Sequence, residues 1–154
     1  RLTGIWLGED TTPLTDLRGF RMLKECWISG SRVVPSLVVT NGVTDSIMAT
    51  GCGLTNLDLQ GQTQLREISS GYNTLAGINL DGAAGLDRIT LNNCGLTQPL
   101  VDYVLATVDS WGTAYTNEWY MATVDLANNA APSAAGLAHR VNLTNRNWIV
   151  NMTE

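Results

Sequence analysis

The chain has 154 residues, 44% hydrophobic and only 15% charged, with a formal net charge of −5. That length predicts one domain. The nine Lys and Arg form no dense run, which argues against nucleic acid, and no apolar stretch approaches the roughly 18 residues of a membrane span, so no membrane insertion is expected.

The chain opens at Arg1 straight into Leu2-x-x-Ile5-x-Leu7, without a signal-peptide pattern. Residues 1–22 read as a partial first unit, with a loop over 8–22 that includes Thr11-Thr12-Pro13. A fragment or processed piece of a longer chain is expected. An exposed strand edge is a template for pairing, so an upstream segment or a partner is expected to cover it.

From residue 23 a period of 21 residues governs the chain. Three segments align without gaps: Thr44, Ile47, Ala49, Cys52, Leu54; then Leu65, Ile68, Ser70, Asn73, Leu75; then Leu86, Ile89, Leu91, Cys94, Leu96. An earlier copy is Leu23, Cys26, Ile28, Ser31, Val33. A second apolar alternation falls within each unit: Leu54, Leu57, Leu59, then Leu75, Ile78, Leu80, with Val34, Leu37, Val39 one residue out of step. Leu2, Ile5 and Leu7 read as another of these second halves. Alternation over five or six residues is a strand period. Gln60-Gly61-Gln62-Thr63 and the stretch 81–85 are turn chemistry. One unit cannot bury its leucines alone, but units stacked at about 4.8 Å build continuous internal ladders.

After Leu96 the apolar spacing changes to three and four. Leu100, Val101, Val104, Leu105 and Val108 predict a helix over 98–110 that ends near Gly112, with Thr97 as N-cap and Pro99 in the first turn. An aromatic insert follows at 111–121. Val124-Asp125-Leu126 predicts a strand and Asn128-Asn129 a turn. A second helix is predicted over 133–145 with Ala134, Leu137, Val141 and Leu143 inward, and Trp148-Ile149-Val150 as a last strand.

The spacing L-x-x-L-x-L-x-x-[N/C]-x-L, complete at 86–96 and looser upstream, resembles the leucine-rich repeat signature. The run Thr123 to Ala138, with Val124-Asp125-Leu126-Ala127-Asn128-Asn129 leading into Pro132-Ser133, is similar to the C-terminal cap of bacterial and bacteriophage leucine-rich repeat proteins. The ending Trp148-Ile149-Val150 and the stretch Leu91 to Thr97 are similar too. The resemblance covers about residues 23–151. It implies an α/β solenoid: repeat coils with short parallel strands over 23–96, then a C-terminal cap of two helices and short strands over 97–154. It also implies a non-enzymatic binding or structural module of a larger surface-exposed or virion protein, extracellular on a virion or bacterial surface. Two departures stand out, the presence of only four coils and the aromatic insert. The position of Cys52, Asn73 and Cys94 is the asparagine-ladder site, where a side-chain amide bonds the backbone at the bend and a buried Cys fills the same space.

The three cysteines are expected to be buried free thiols. Cys52 and Cys94 lie two coils apart, roughly 10 Å, and a disulfide tolerates less than about 7 Å. The single histidine, His139, reads as a solvated or capping side chain, and Cys26 lies too far from it to form a nucleophile–base pair. No metal or phosphate-binding motif is present, so no cofactor is expected. The outward strand positions form the first candidate surface: Lys24, Glu25, Trp27; Asp45, Ser46, Met48; Arg66, Glu67, Ser69; Asp87, Arg88, Thr90. Trp27, Arg66 and Arg88 are its candidate binding residues. The second candidate is the aromatic insert, where Tyr115 and Trp119 are expected to be exposed, while Trp111 and Tyr120 cover the cap helix. A protein or glycan partner fits either surface. The alternative is docking and stabilisation within a virion, as a decoration or tail-fibre component.

Overall fold

The computed structural model describes residues 4–7, 24–28, 36–39, 44–115 and 121–154. The elements are β1 (Gly4–Leu7), β2 (Glu25–Ile28), β3 (Ser36–Val38), β4 (Ser46–Met48), β5 (Asn56–Asp58), β6 (Glu67–Ser69), β7 (Gly77–Asn79), β8 (Arg88–Thr90), α1 (Gln98–Ser110), β9 (Ala122–Leu126), α2 (Ala134–Asn145) and β10 (Trp148–Met152). Among the described residues the strands form two sheets, one of seven in the order β1-β2-β4-β6-β8-β9-β10 and one of three in the order β3-β5-β7. Every pairing is parallel.

The 21-residue period is the strand-to-strand step. Ile5, Cys26, Ile47, Ile68 and Ile89 are successive partners across the large sheet. Cys26, Ile47, Ile68 and Ile89 are fully buried. In the small sheet Leu37 pairs Leu57 and Leu57 pairs Ile78, so the slip expected at Val39 is a 20-residue step. Leu37 and Leu57 meet the large sheet's isoleucines in one continuous core. Each such aliphatic contributes about 1.5–3 kcal/mol on burial.

β1 departs from expectation. It pairs with β2 in the large sheet and is not a second-half strand. Apolar alternation cannot tell the two kinds of strand apart. Spacing can, because Ile5 precedes Cys26 by the same step that separates Cys26 from Ile47.

The ladder site holds the bends together. Asn73 Oδ1 accepts from the backbone N–H of Cys52 (2.9 Å) and Leu54 (3.0 Å), and its Nδ2 donates to the carbonyls of Ala49 (2.8 Å) and Ser70 (2.9 Å). Asn129 does the same for Cys94 and Leu96 (both 3.0 Å), donating to Leu91 (2.8 Å) and Leu126 (2.9 Å). Where a cysteine stands, its thiol donates to the matching carbonyl: Cys52 to Ile28 and Cys94 to Ser70, each at 3.0 Å. The residue before each rung has positive φ: Gly51 (65°), Tyr72 (57°), Asn93 (53°) and Asn128 (60°). Glycine and asparagine suit that region, whereas an aromatic side chain is strained there.

α1 lies between β8 and β9 in the chain and covers the core with Val101, Val104, Leu105 and Val108. Thr97 occupies the N-cap with extended backbone, but its hydroxyl makes no capping bond. The Leu80 N–H donates to the Tyr103 hydroxyl at 2.9 Å, fastening the helix to the chain just after β7. In α2, Ser133 caps the first turn by accepting from the Gly136 N–H at 3.3 Å. The inward face of α2 differs from the expected one. Leu143 is buried, but Ala134, Leu137 and Val141 are exposed. Gly136 is buried instead, because a Cβ there would collide with the Asp102 carboxylate and crowd Pro132. His139 and Arg146 complete this face, and a half-polar stripe is invisible to apolar periodicity.

Candidate functional site

Alternation along each strand of the large sheet sends every second side chain outward. One outward row, in register, is Gly4, Glu25, Ser46, Glu67, Arg88, Thr123 and Ile149. The other is Trp6, Trp27, Met48, Ser69, Thr90, Asp125 and Asn151. The second row is therefore apolar at the β1 end and polar beyond Met48. Trp6 is 75% exposed and Trp27 40%, and their ring centroids lie 5.9 Å apart at 56°. Two exposed indoles side by side are costly for a surface that faces only water.

Charges along the face are paired across strands. Lys24 meets Asp45 at 3.9 Å, Arg66 meets Asp87 at 3.6 Å, and Arg88 meets Glu67 at 3.5 Å. Asp87, expected outward, is buried, with its side chain 6% exposed under the Arg66 guanidinium. The Arg66 and Arg88 side chains remain 68% and 50% exposed, and their ion pairs are worth about 0–1 kcal/mol each. Their donors are thus available to a ligand at small cost.

Trp27 and Arg88 stand in these outward rows, while exposed Arg66 lies just before β6 at the position equivalent to buried Asp87, so two of the five expected binding residues belong to the rows themselves. Tyr115 does not join them. It is half-buried and packs edge-on against Trp148, with centroids 5.3 Å apart, because the last strand brings that indole beneath it. Trp111 is likewise partly buried against the core. Trp119 and Tyr120 lie outside the described residues. Trp6 was missed by sequence reasoning, although it precedes Trp27 by one full period. Tyr72, 64% exposed in a strained backbone conformation, was missed as well.

His139 is not a free solvated side chain. Its Nδ1 sits 2.7 Å from Asp109 Oδ2, which also accepts from Asn142 Nδ2 at 3.0 Å, while Arg146 Nη2 bonds Asp109 Oδ1 and the Asp109 carbonyl. This cluster joins the end of α1 to α2. Burial alone would raise the Asp109 carboxyl, but the bonds from Asn142 and His139 and the Arg146 charge outweigh it and hold it below the ordinary 3.8. A carboxyl depressed on folding stabilises the fold above its unfolded value, and this contribution is lost as pH falls through the folded value. Unfolding free energy should therefore drop from about pH 3.8 downward, and Asp109→Asn should show a flatter acid limb in urea titrations between pH 5 and 2. Parallel acid limbs for the two proteins would contradict this assignment.

The three cysteines are free and buried. Burial, with Cys52 adding to it, pushes the Cys26 thiol up to about 12. Burial also raises the Cys94 thiol, despite the opposing bond from the Asn73 backbone. Thiols so raised are poor nucleophiles. Among the described residues no group of three or more His, Cys, Asp or Glu side chains could hold a metal ion, and no helix is long and apolar enough to cross a membrane. In comparisons with known proteins, no protein family, no curated protein and no solved structure matches this chain.

Proposed function

We propose that this chain is a short leucine-rich repeat solenoid with a helical C-terminal cap, serving as a non-enzymatic recognition module. It binds a protein or glycan partner across the outward face of the seven-stranded sheet. It belongs to a larger surface-exposed or phage virion protein and works outside the cell. One observation carries the reading: Trp6, Trp27 and Met48 form an apolar row on the sheet face whose other row carries the exposed, weakly paired Arg88 three strands on from Trp27. Aromatic and arginine side chains on a rigid face are the residue types that dominate binding hot spots. The aromatic insert supports this reading less, since Tyr115 is engaged by Trp148.

The test is binding to glycan and protein arrays by the intact chain and by Trp27→Ala and Arg88→Ala. Hits should weaken at least about tenfold in Trp27→Ala and a few-fold in Arg88→Ala, with both variants still folded. Hits unaffected by either substitution would rule out this face. Immunogold labelling of the source material tests the location: gold on neither virions nor cell surfaces would remove it.

Assembly is the second reading. It is favoured by β1 and β10, which each have one strand neighbour among the described residues and so present edges suited to pairing. Sedimentation of a strictly monomeric chain that never co-purifies with particles would dismiss it.

A further inference from the structure

An open hollow of 280 Å³ lies at the β1 end of the face, lined by Gly4, Ile5, Trp6, Glu25 and Trp27. Gly4 is the register partner of Glu25, and a Cβ built at Gly4 meets nothing within 4 Å. The missing side chain is what leaves the space open. Trp6 and Trp27 wall it with two tilted rings. Glu25 is exposed and joins none of the ion pairs among the described residues. The adjacent cation Lys24 has another carboxylate in Asp45, and Glu25's register partner on the inner side is neutral Ser46.

This chemistry selects for positive charge. Indole faces attract cations, and a carboxylate beside them adds a counter-ion. A neutral apolar occupant would strip water from Glu25 and offer nothing in return. An anion would be repelled. A neutral sugar would stack on the rings but leave the carboxylate without a charged partner. From this geometry, resting on the recognition reading above, we infer that the hollow receives a lysine or arginine side chain of a protein partner. The net charge of −5 favours approach of such a basic partner.

The experiment is an NMR titration of the isotope-labelled full chain, reading the indole N–H signals of its five tryptophans. Trp6→Phe and Trp27→Phe assign the two that matter. Probes are Nα-acetyl-lysine amide, Nα-acetyl-arginine amide, the uncharged Nα-acetyl-norleucine amide and methyl β-N-acetylglucosaminide. The cationic amides should shift the Trp6 and Trp27 signals saturably and leave Trp148 still. Glu25→Gln should weaken them about threefold or more, and added salt should act in the same direction. Gly4→Val fills the hollow with a residue that suits a strand, and should abolish the response. Equal response to norleucine amide, undiminished binding by Glu25→Gln, or no response up to the probes' solubility limit each overturns the inference. A response to the saccharide alone overturns it too, while leaving the recognition face standing. Silence in the titration together with empty arrays removes both.

Discussion

Asn73→Ala should cost more stability than any surface change in this chain. It orphans the buried N–H groups of Cys52 and Leu54 and removes two donors from Ala49 and Ser70. An unpaired buried polar group costs about 1–3 kcal/mol, so two stranded amides alone predict a loss of about 2–6 kcal/mol. A domain with about 5–15 kcal/mol in total could be left largely unfolded. The chain also supplies its own control. Cysteine stands at the same rung in Cys52 and Cys94 and still donates to the carbonyl beneath it. Asn73→Cys should therefore lose distinctly less than Asn73→Ala in guanidinium unfolding. A near-neutral alanine variant, or a cysteine variant no better than alanine, would show that the rung is not what holds the bend.

The second large effect is expected at Gly85. A Cβ there lies 2.7 Å from the Thr63 carbonyl oxygen and 3.0 Å from that of Leu65. Both atoms are backbone, and they belong to the turn in which Leu65 N–H bonds the Gln62 carbonyl at 3.1 Å. Neither can rotate away like a side-chain tip, so the two turns must separate. Gly85→Ala should cost about 1–3 kcal/mol, the range for forcing an extra methyl into a packed site. The midpoint of chemical unfolding should fall with an unchanged slope. An unaltered midpoint would mean that these turns have slack between them.

Much of the parallel-strand architecture was legible because one period does one job. Ile47, Ile68 and Ile89 recur at the strand step, so the large sheet could be written down from spacing. α1 was legible for the same reason, with Val101, Val104, Leu105 and Val108 facing the core. α2 was not. Its inward face reads Gly136, His139, Leu143, Arg146, where a small residue and a carboxylate-bound pair replace aliphatics. β1 was legible as a strand but misassigned, since alternation carries no label for which sheet it joins. The candidate face was half visible. Trp27 and Arg88 followed from outward parity, whereas Trp6 required extending the period through residues 8–23. Tyr115 was misjudged because its partner Trp148 lies 33 residues later in the chain.

The constant step across the large sheet has a consequence for how the face could change over time. Leu54 and Leu75 occupy equivalent buried sites one step apart, so excising residues 55–75 would rejoin matching positions with every remaining rung and row in phase. A cut one residue shorter would have to be absorbed in a turn, as it is in the 20-residue step from Leu37 to Leu57. Length here is quantised. The gap between the tryptophan pair and Arg88 can shrink or grow only in increments of about 4.8 Å, the width of one strand. The face behaves as a ruler whose marks are set by the core, and unequal crossing-over between equivalent units would regraduate it without disturbing either end.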